Sequence, residues 1–462
     1  MKKFILFFIL IQSTFLFSQT VLTTFPLELK KSNAYKQTIN AENTATHDVF
    51  AFASDKENLT ILKYNSALFL TNQYTLPRPD ISHKLISGYS FNNEGNPTLY
   101  WSNEDFTKVM AVQYDLNTKT NTVVNYDLQF FNQTVITKIQ SNNAFYILSQ
   151  KHFEQKLVLT IFKDGIKVEK TLDFSPFKFK NSKNQAITFS QILEVCPIEK
   201  IETDQFNPLF KGTQKTKLYF LKDRLLLTFD HNDNETQAFE IDLSTFQIQE
   251  KNFPKTATKN YVSLSNSYYH ENKIYQLKVN TEELLFEIKD YKTADSIKSI
   301  SVAQTQTIPF KTSPLWLQVE GQKQKEFKST TKFLNQLVYL NIGLTVYKTP
   351  KSILITMGGT GNIQFTDIVN SLDNYQYTSD FVYRDYPTTA YFESVFDKKL
   401  EHNKPDQEPL AFDFISGFMQ EHPEATLPNI IRYKNYYILG YYDTKAKQYT
   451  MRKFTDGFER SF

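Results

Sequence analysis

Residues 99–128 read LYWSNEDFTKVMAVQYDLNTKTNTVVNYDL. Three short runs, Leu99–Trp101, Val109–Tyr114 and Val123–Leu128, are separated by polar stretches, the second of them holding Asp115-Leu116-Asn117-Thr118. Alternation at period two is the pattern of a strand. A short polar side chain at a turn hydrogen-bonds its own backbone and closes it tightly. The arrangement returns at Leu218–Phe220, Leu225–Phe229, Ala238–Leu243 and Phe246–Phe253, with Asp242-Leu243-Ser244-Thr245 at the turn. Variants stand at Lys163-Asp164-Gly165, Lys289-Asp290-Tyr291-Lys292-Thr293 and Tyr442-Asp443-Thr444-Lys445. Asp115 to Asp164 is 49 residues, Asp242 to Asp290 is 48, and Asp290 to Asp443 is 153, about three times 51. The 78 residues from Asp164 to Asp242 break the series and predict an insertion near residues 175–215. Periods of ~40–50 residues with three or four strands each belong to propeller blades. The expected fold is all-β, a β-propeller of six to eight blades with seven favoured.

Composition agrees with a folded chain. Of 462 residues, 40 % are apolar and 22 % charged, which excludes a disordered polymer. The net charge of +3 is too balanced for a nucleic-acid partner or a polybasic membrane surface. Phe (41) and Tyr (27) are abundant beside only 12 Gly. Aromatic residues favour strands, and an A/T-rich genome enriches them equally.

The N-terminus reads as an address. Met1-Lys2-Lys3 precedes an almost wholly apolar run from Phe4 to Phe17, followed by Ser18-Gln19. Fourteen apolar residues are too few for a spanning helix, which needs ~20, and the pattern fits a secretory signal peptide. The expected organisation is a signal peptide over 1–18 and a single propeller-like domain over 19–462. The product is expected to be exported, periplasmic or secreted, with no transmembrane span in the mature chain. No cysteine follows the apolar run, so it is not a lipoprotein of the bacterial type. Cys196 is the only cysteine; without a disulfide, stability rests on the core. It lies in Ile192-Leu193-Glu194-Val195-Cys196-Pro197, read as an apolar strand with a buried structural thiol.

The C-terminal third is less regular. Phe327, Thr331, Leu334 and Val338 follow helical spacing, and Pro409–Met419 places Leu410, Phe414 and Phe418 on one face before Pro423. Helical insertions are therefore expected near 323–341 and 404–424, with another short helix at Phe365, Ile368, Val369 and Leu372. Strands are expected at Ile342–Tyr347, Ile353–Met357, Tyr436–Tyr442 and Tyr449–Phe454. A membrane barrel is the structural rival, since the chain ends in Phe462. Counting back by twos meets Arg460 and Asp456 among Phe458 and Phe454, which does not suit a lipid face.

The chain resembles uncharacterised exported, propeller-like proteins of the Bacteroidota. The resemblance rests on the Phe17-Ser18-Gln19 end of the signal peptide, the repeated Tyr-Asp hairpins, and the stretch from Thr331-Lys332-Phe333-Leu334 to Ile355-Thr356-Met357-Gly358-Gly359. It implies a propeller and brings no activity or functional residue with it.

Candidate chemistry is sparse. Asp230-His231-Asn232-Asp233-Asn234-Glu235 sets oxygens at Asp230, Asn232 and Asn234 as in the first half of a calcium loop. The glycine and distal glutamate of such a loop are missing, and a polar hairpin tip is the plainer expectation. Gly358-Gly359-Thr360-Gly361-Asn362 lacks the Gly-Lys-Ser/Thr ending of a phosphate loop; a glycine turn at a close backbone approach is expected. The histidines are His47, His83, His152, His231, His270, His402 and His422, and no two have metal-binding spacing. Glu421-His422-Pro423-Glu424 reads as a charged helix end. Asp380-Phe381-Val382-Tyr383-Arg384-Asp385-Tyr386-Pro387 reads as a loop whose Arg and Tyr are types found at binding hot spots. Lys178-Phe179-Lys180, with Lys183, is too short to suggest nucleic acid. No catalytic residue can be named, and no metal or cofactor is expected. Two function classes remain: a non-catalytic exported scaffold binding an envelope protein or glycan, and a propeller hydrolase or lyase acting on an extracellular polymer. Acidic, His or Arg clusters near the propeller axis favour the second; small or apolar residues there favour the first.

Overall fold

The computed structural model describes residues 19–30, 35–128, 132–259, 263–373, 376–402 and 407–457, with backbone alone at 19 and over 364–384. The expected signal peptide, residues 1–18, and the terminal residues 458–462 of the barrel test lie outside them. The chain is all-β and propeller-type, built from antiparallel meanders of four strands. It divides into two compact units, one of Met1–Asp173 with Glu408–Phe462 and one of Phe174–Gln407.

The first unit holds four four-stranded sheets among the described residues. One runs Gln37–Glu42, Val49–Ser54, Asn58–Tyr64, Leu70–Pro77, and the next Leu85–Phe91, Pro97–Ser102, Lys108–Asp115, Thr120–Asp127. A third runs Gln133–Ser141, Ala144–Lys151, Lys156–Lys163, Ile166–Asp173. The last is Ala425–Tyr433, Tyr436–Asp443 and Gln448–Phe454, with Gln19–Pro26 as its fourth strand, antiparallel to Gln448–Phe454.

Burial explains why the inner strands read as nearly continuous apolar runs. Val49–Ser54 and Pro97–Ser102 are buried throughout, whereas Thr120–Asp127 is almost wholly exposed. Alternate residues serve two neighbours. Phe50 and Phe52 join Leu99, Trp101 and Met110 of the next sheet, while Val49 and Ala51 join Ile438, Tyr449 and Met451 of the preceding one. Tyr100 then turns the other way, onto Phe145 and Phe162. Each such side chain adds ~1.5–3 kcal/mol on burial, so sheets with two buried faces need apolar residues at every position.

The second unit contains Thr216–Phe220, Arg224–Phe229, Glu235–Asp242 and Ile248–Pro254, to which Ile198–Ile201 adds in parallel. It also contains the sheet Leu264–His270, Lys273–Val279, Glu283–Asp290, Ser296–Ala303. The third sheet is Asn341–Lys348, Ile353–Asp373, Gln376–Phe396, Trp316–Val319 and Lys325–Glu326. The expected insertion near 175–215 is a two-stranded ribbon (Phe179–Lys180 with Ala186–Ile187), helix α1 (Phe189–Val195) and helix α2 (Leu209–Gly212).

The repeated aspartates do close turns. The Asp115 Oδ1 accepts from the Asn117 and Thr118 amides at 2.8 and 3.1 Å, and Asp242 accepts from Ser244 and Thr245 at 2.8 and 2.7 Å. Asp290 and Asp443 bond likewise. Asp164 differs: with Gly165 it forms a two-residue turn, both at positive φ (52° and 72°). Asp115, Asp164, Asp242 and Asp290 each join a third strand to a fourth; Asp443 joins a second to a third, because Gln19–Pro26 supplies that sheet's fourth strand. The 153-residue interval therefore does not count three repeats of one turn.

Three expectations are corrected. Ile192–Val195 belongs to α1, not a strand: Thr188 and Gln191 form a capping box, and Phe189, Ile192 and Leu193 are buried at helical spacing. Phe365, Ile368, Val369 and Leu372 lie in the strand Ile353–Asp373, not a helix; Thr366, Ile368 and Val369 are β-branched. Gly358–Asn362 is not a turn but the middle of that strand. Its close approach is real, since a Cβ at Gly358 would collide with the Ala390 carbonyl oxygen. The other two helices stand where expected, α3 at Thr330–Leu337 and α4 at Ala411–Glu421.

Candidate functional site

Two places gather polar side chains, one in each unit. In the second unit the Asp230 segment is not a simple hairpin tip. Asp230 is fully buried, with its carboxylate 2.9 Å from the Lys255 Nζ and 3.6 Å from the Lys217 Nζ. It also accepts from the Ser267 amide (3.0 Å), the Ser267 hydroxyl (2.7 Å) and the Thr236 hydroxyl (2.8 Å). Burial alone would raise this carboxyl, but the two ammoniums hold it well below the ordinary carboxylate range. Burial draws Lys217 down to about 8 and lowers Lys255 as well, despite Asp230. Asn232 is buried and Asn234 exposed, so the alternating oxygens do not converge.

Lys255 donates to the Ser265 hydroxyl at 3.0 Å, the spacing of a serine and its base. Ser265 in turn donates to Asp233 at 3.0 Å. Ser265, Ser267, Lys217 and Asp230 have no exposed surface, so a substrate cannot reach them. Lys255 donates as well to Asn232, and Lys217 to Gln214 and Asn266. The cluster is a satisfied ionic core.

In the first unit, the first strands of the four sheets lie side by side and line an open cleft of about 370 Å³. Lys36, Gln37, Thr38, Ser87, Gln140 and Asn429 supply its polar lining, and Ile39, Gly88, Tyr89, Leu427 and Pro428 complete it. Local irregularities aim these residues. Register shifts at Ile86/Gly88 and Thr426/Asn429 bend two of the strands, and Leu427 stands at φ 54°. At Gly88 any Cβ would meet the Phe145 ring.

Side-chain amides clamp one sheet to the next. Gln37 bonds both the carbonyl and the amide of Ile86, at 2.9 and 2.8 Å. Gln140 does the same to Tyr89, at 2.7 and 3.0 Å. Asn429 accepts from the Asn40 amide at 2.8 Å, the Asn40 side chain donates to the Asn429 carbonyl at 3.0 Å, and Thr38 donates to the Leu427 carbonyl. These amides stand where a further strand's backbone would, which fixes the lining before a ligand arrives. Sequence reading missed all of them: Gln and Asn occur throughout the chain, and only the stacking of sheets selects these.

The remaining candidates fall elsewhere. Cys196 is half-buried at the end of α1, and burial pushes its thiol up. His422 caps α4 and bonds Glu424 at 3.0 Å, a charged helix end. His47 pairs with Glu42 and His83 with Asp80, both at 2.7 Å. Phe179 packs into an aromatic cluster with Phe189, Phe229 and Phe239, and Lys178 uses its carbonyl to accept from Gln237. Asp380–Pro387 is strand rather than loop, and the side chains of Asp380–Arg384 lie outside the described residues. Among the described residues, no three His, Cys, Asp or Glu side chains are placed to hold a metal ion. No described helix is long and apolar enough to cross a membrane.

No family model matches the chain, and no curated protein is similar to it. Solved structures similar to it, at low identity, include propeller-type proteins. An oligogalacturonate lyase in complex with manganese has 7 % identity and a TM-score of 0.35, over 95 % of this chain and 97 % of that one. An uncharacterised protein of Listeria monocytogenes has 11 % identity and a TM-score of 0.29, over 95 % and 100 %. The dihydro-heme d1 dehydrogenase NirN has 9 % identity and a TM-score of 0.28, over 60 % of this chain; the chain spans half its length. At such scores these likenesses carry no argument about activity.

Proposed function

We propose that the chain is an exported, non-catalytic propeller scaffold, periplasmic or secreted, that binds a cell-envelope protein or glycan through the cleft of its first unit. The observation that carries this reading is the lining: amides, hydroxyls, aliphatic groups and one ammonium, held in place by bonds between sheets. Neutral donors and acceptors in fixed positions suit the hydroxyl groups of a sugar. The volume, at the lower end of the range for small-molecule clefts, favours the glycan over a protein surface.

The test is thermal unfolding of residues 19–462 with and without a panel of envelope glycans, beside a Ser87→Tyr variant that fills the cleft. A ligand at ~100 times its Kd adds ~2.7 kcal/mol, enough to move the transition measurably. The expected result is an upward shift with at least one glycan, abolished in Ser87→Tyr. A shift that survives in Ser87→Tyr, or a panel with no shift, contradicts the reading; cleavage products of a bound glycan would favour the hydrolase or lyase instead.

A further inference from the structure

The strands that line the cleft of the first unit are Gln37–Glu42, Leu85–Phe91, Gln133–Ser141 and Ala425–Tyr433. Together they carry a single acidic residue, Glu42, at the end of its strand, and its carboxylate bonds His47 at 2.7 Å. No lining residue is acidic. Two lysines stand there instead. Lys36 belongs to the lining and directly precedes Gln37, the residue clamped to Ile86. Lys138 comes from the opposite side: its Nζ donates at 3.5 Å to the Oγ of Ser87, the lining residue that follows Ile86. The strand Leu85–Phe91 thus has a lysine on either side of it at nearly one level.

The Lys138 ammonium has no counter-charge among the described residues. It lies 3.6 Å from the centroid of the Phe106 ring, and burial there lowers it with no carboxylate acting in the other direction. A ring face attracts a cation but carries no net charge, so Phe106 holds the ammonium in place and leaves its charge unanswered. Lys84, by contrast, pairs with Glu104 at 2.7 Å. The Lys138 side chain is exposed along its length, so a solute reaches it. The neutral groups beside it are already engaged: Gln37 and Gln140 each bond an amide and a carbonyl of the strand Leu85–Phe91, and Ser87 bonds Ser102 at 2.7 Å.

Resting on the glycan reading of this cleft, we propose that its ligand is an acidic sugar, whose anionic group is held by Lys138 at Ser87 with the charge of Lys36 in support. An anion there meets two cations and a hydroxyl, with no acidic lining residue to repel it. Lysine acts as a point charge, so a carboxylate and a phosphate suit it equally.

The test is isothermal titration of residues 19–462 with gluco-, galacto- and manno-tetrasaccharides, each as the neutral sugar, the uronate and the 6-phosphate. The expected result is that one acidic form binds at least ~10-fold tighter than its neutral counterpart in about 0.05 M NaCl, and that this advantage shrinks in about 0.5 M NaCl, where screening shortens to a few ångströms. Lys138→Met keeps the stem against Phe106 and should weaken the acidic form at least ~10-fold while moving the neutral one less than ~2-fold; Lys138→Arg should restore the preference. If Lys138→Met misfolds, Lys36→Met and the salt dependence decide. A preference for the uronate identifies the anion as a carboxylate, and one for the 6-phosphate as a phosphate. Neutral and acidic forms bound alike, with binding lost in Ser87→Tyr, overturn this inference and leave the glycan reading standing. An acidic preference that survives Lys138→Met also overturns it, and binding of no tetrasaccharide overturns both.

Discussion

Asp230 shows how one buried charge shapes its surroundings. It stands between two buried lysines and takes three further hydrogen bonds, so Asp230→Asn leaves Lys217 and Lys255 without their counter-charge. Breaking a buried pair from one side costs about 3–5 kcal/mol; the urea midpoint should fall accordingly, and an unchanged midpoint would mean that water already reaches the lysines. Next to it, burial lowers His231 to about 4, outweighing the pull of the Asp230 carboxylate and of the Lys180 backbone, both of which raise it. The unfolded ring binds a proton below about 6.5 while the folded ring does not, so the unfolded state carries more protons between pH 4 and 6.5. Stability therefore rises with pH across that window and is lost on acidification, by up to ~1.4 kcal/mol per pH unit. His231→Phe should flatten the urea midpoint between pH 7 and 5, and a slope identical to that of the parent would show that other groups set it.

Elements were legible where local chemistry decides them. The turn at Asp115 is visible in sequence because the carboxylate, the two amides it accepts from and the reversal sit within four residues. Asn65 closes the matching turn of the preceding sheet by accepting from Ala67 and Phe69, both at 3.0 Å, and an amide in the carboxylate's place takes that turn out of the aspartate series. Apolar periodicity misled where the partner strand, and not the segment's own spacing, sets the conformation. Phe365 to Leu372 fits helical spacing, yet it is paired along its length with residues 377–384. The same limit hid the cleft, whose clamps join residues 49 to 389 positions apart. Two predictions belong at this scale. Gln140→Leu removes both bonds to Tyr89 and one to the Ala144 carbonyl, leaving part-buried backbone groups unmet, and should cost about 1–2 kcal/mol by denaturant unfolding. A cost near zero would show the clamp replaceable by water. Gly358→Ala drives a methyl into the Ala390 carbonyl and should lower stability by about 1–3 kcal/mol; a neutral result would require the two strands to separate locally without cost.

At the scale of the whole molecule, repetition of one meander produces both the core and the cleft. Each sheet offers two apolar faces to its neighbours, as Phe50 and Val49 show on adjacent positions of one strand. Stacking the sheets brings their first strands together, and the polar residues at those strands, useless as core, become the lining. The fold class could be read from the period because every repeat restates it; the site could not, since each sheet contributes only one to four of its residues. The central claim is that these residues act together as a ligand platform. Hydrogen exchange by mass spectrometry, on residues 19–462 with and without the glycan that most raises the unfolding temperature, tests it most directly. Slowed exchange in peptides covering 36–39, 87–89, 140 and 427–429 together, with the rest of the first unit unchanged, is the predicted result. Protection confined to other segments, or none at saturating glycan, would contradict it.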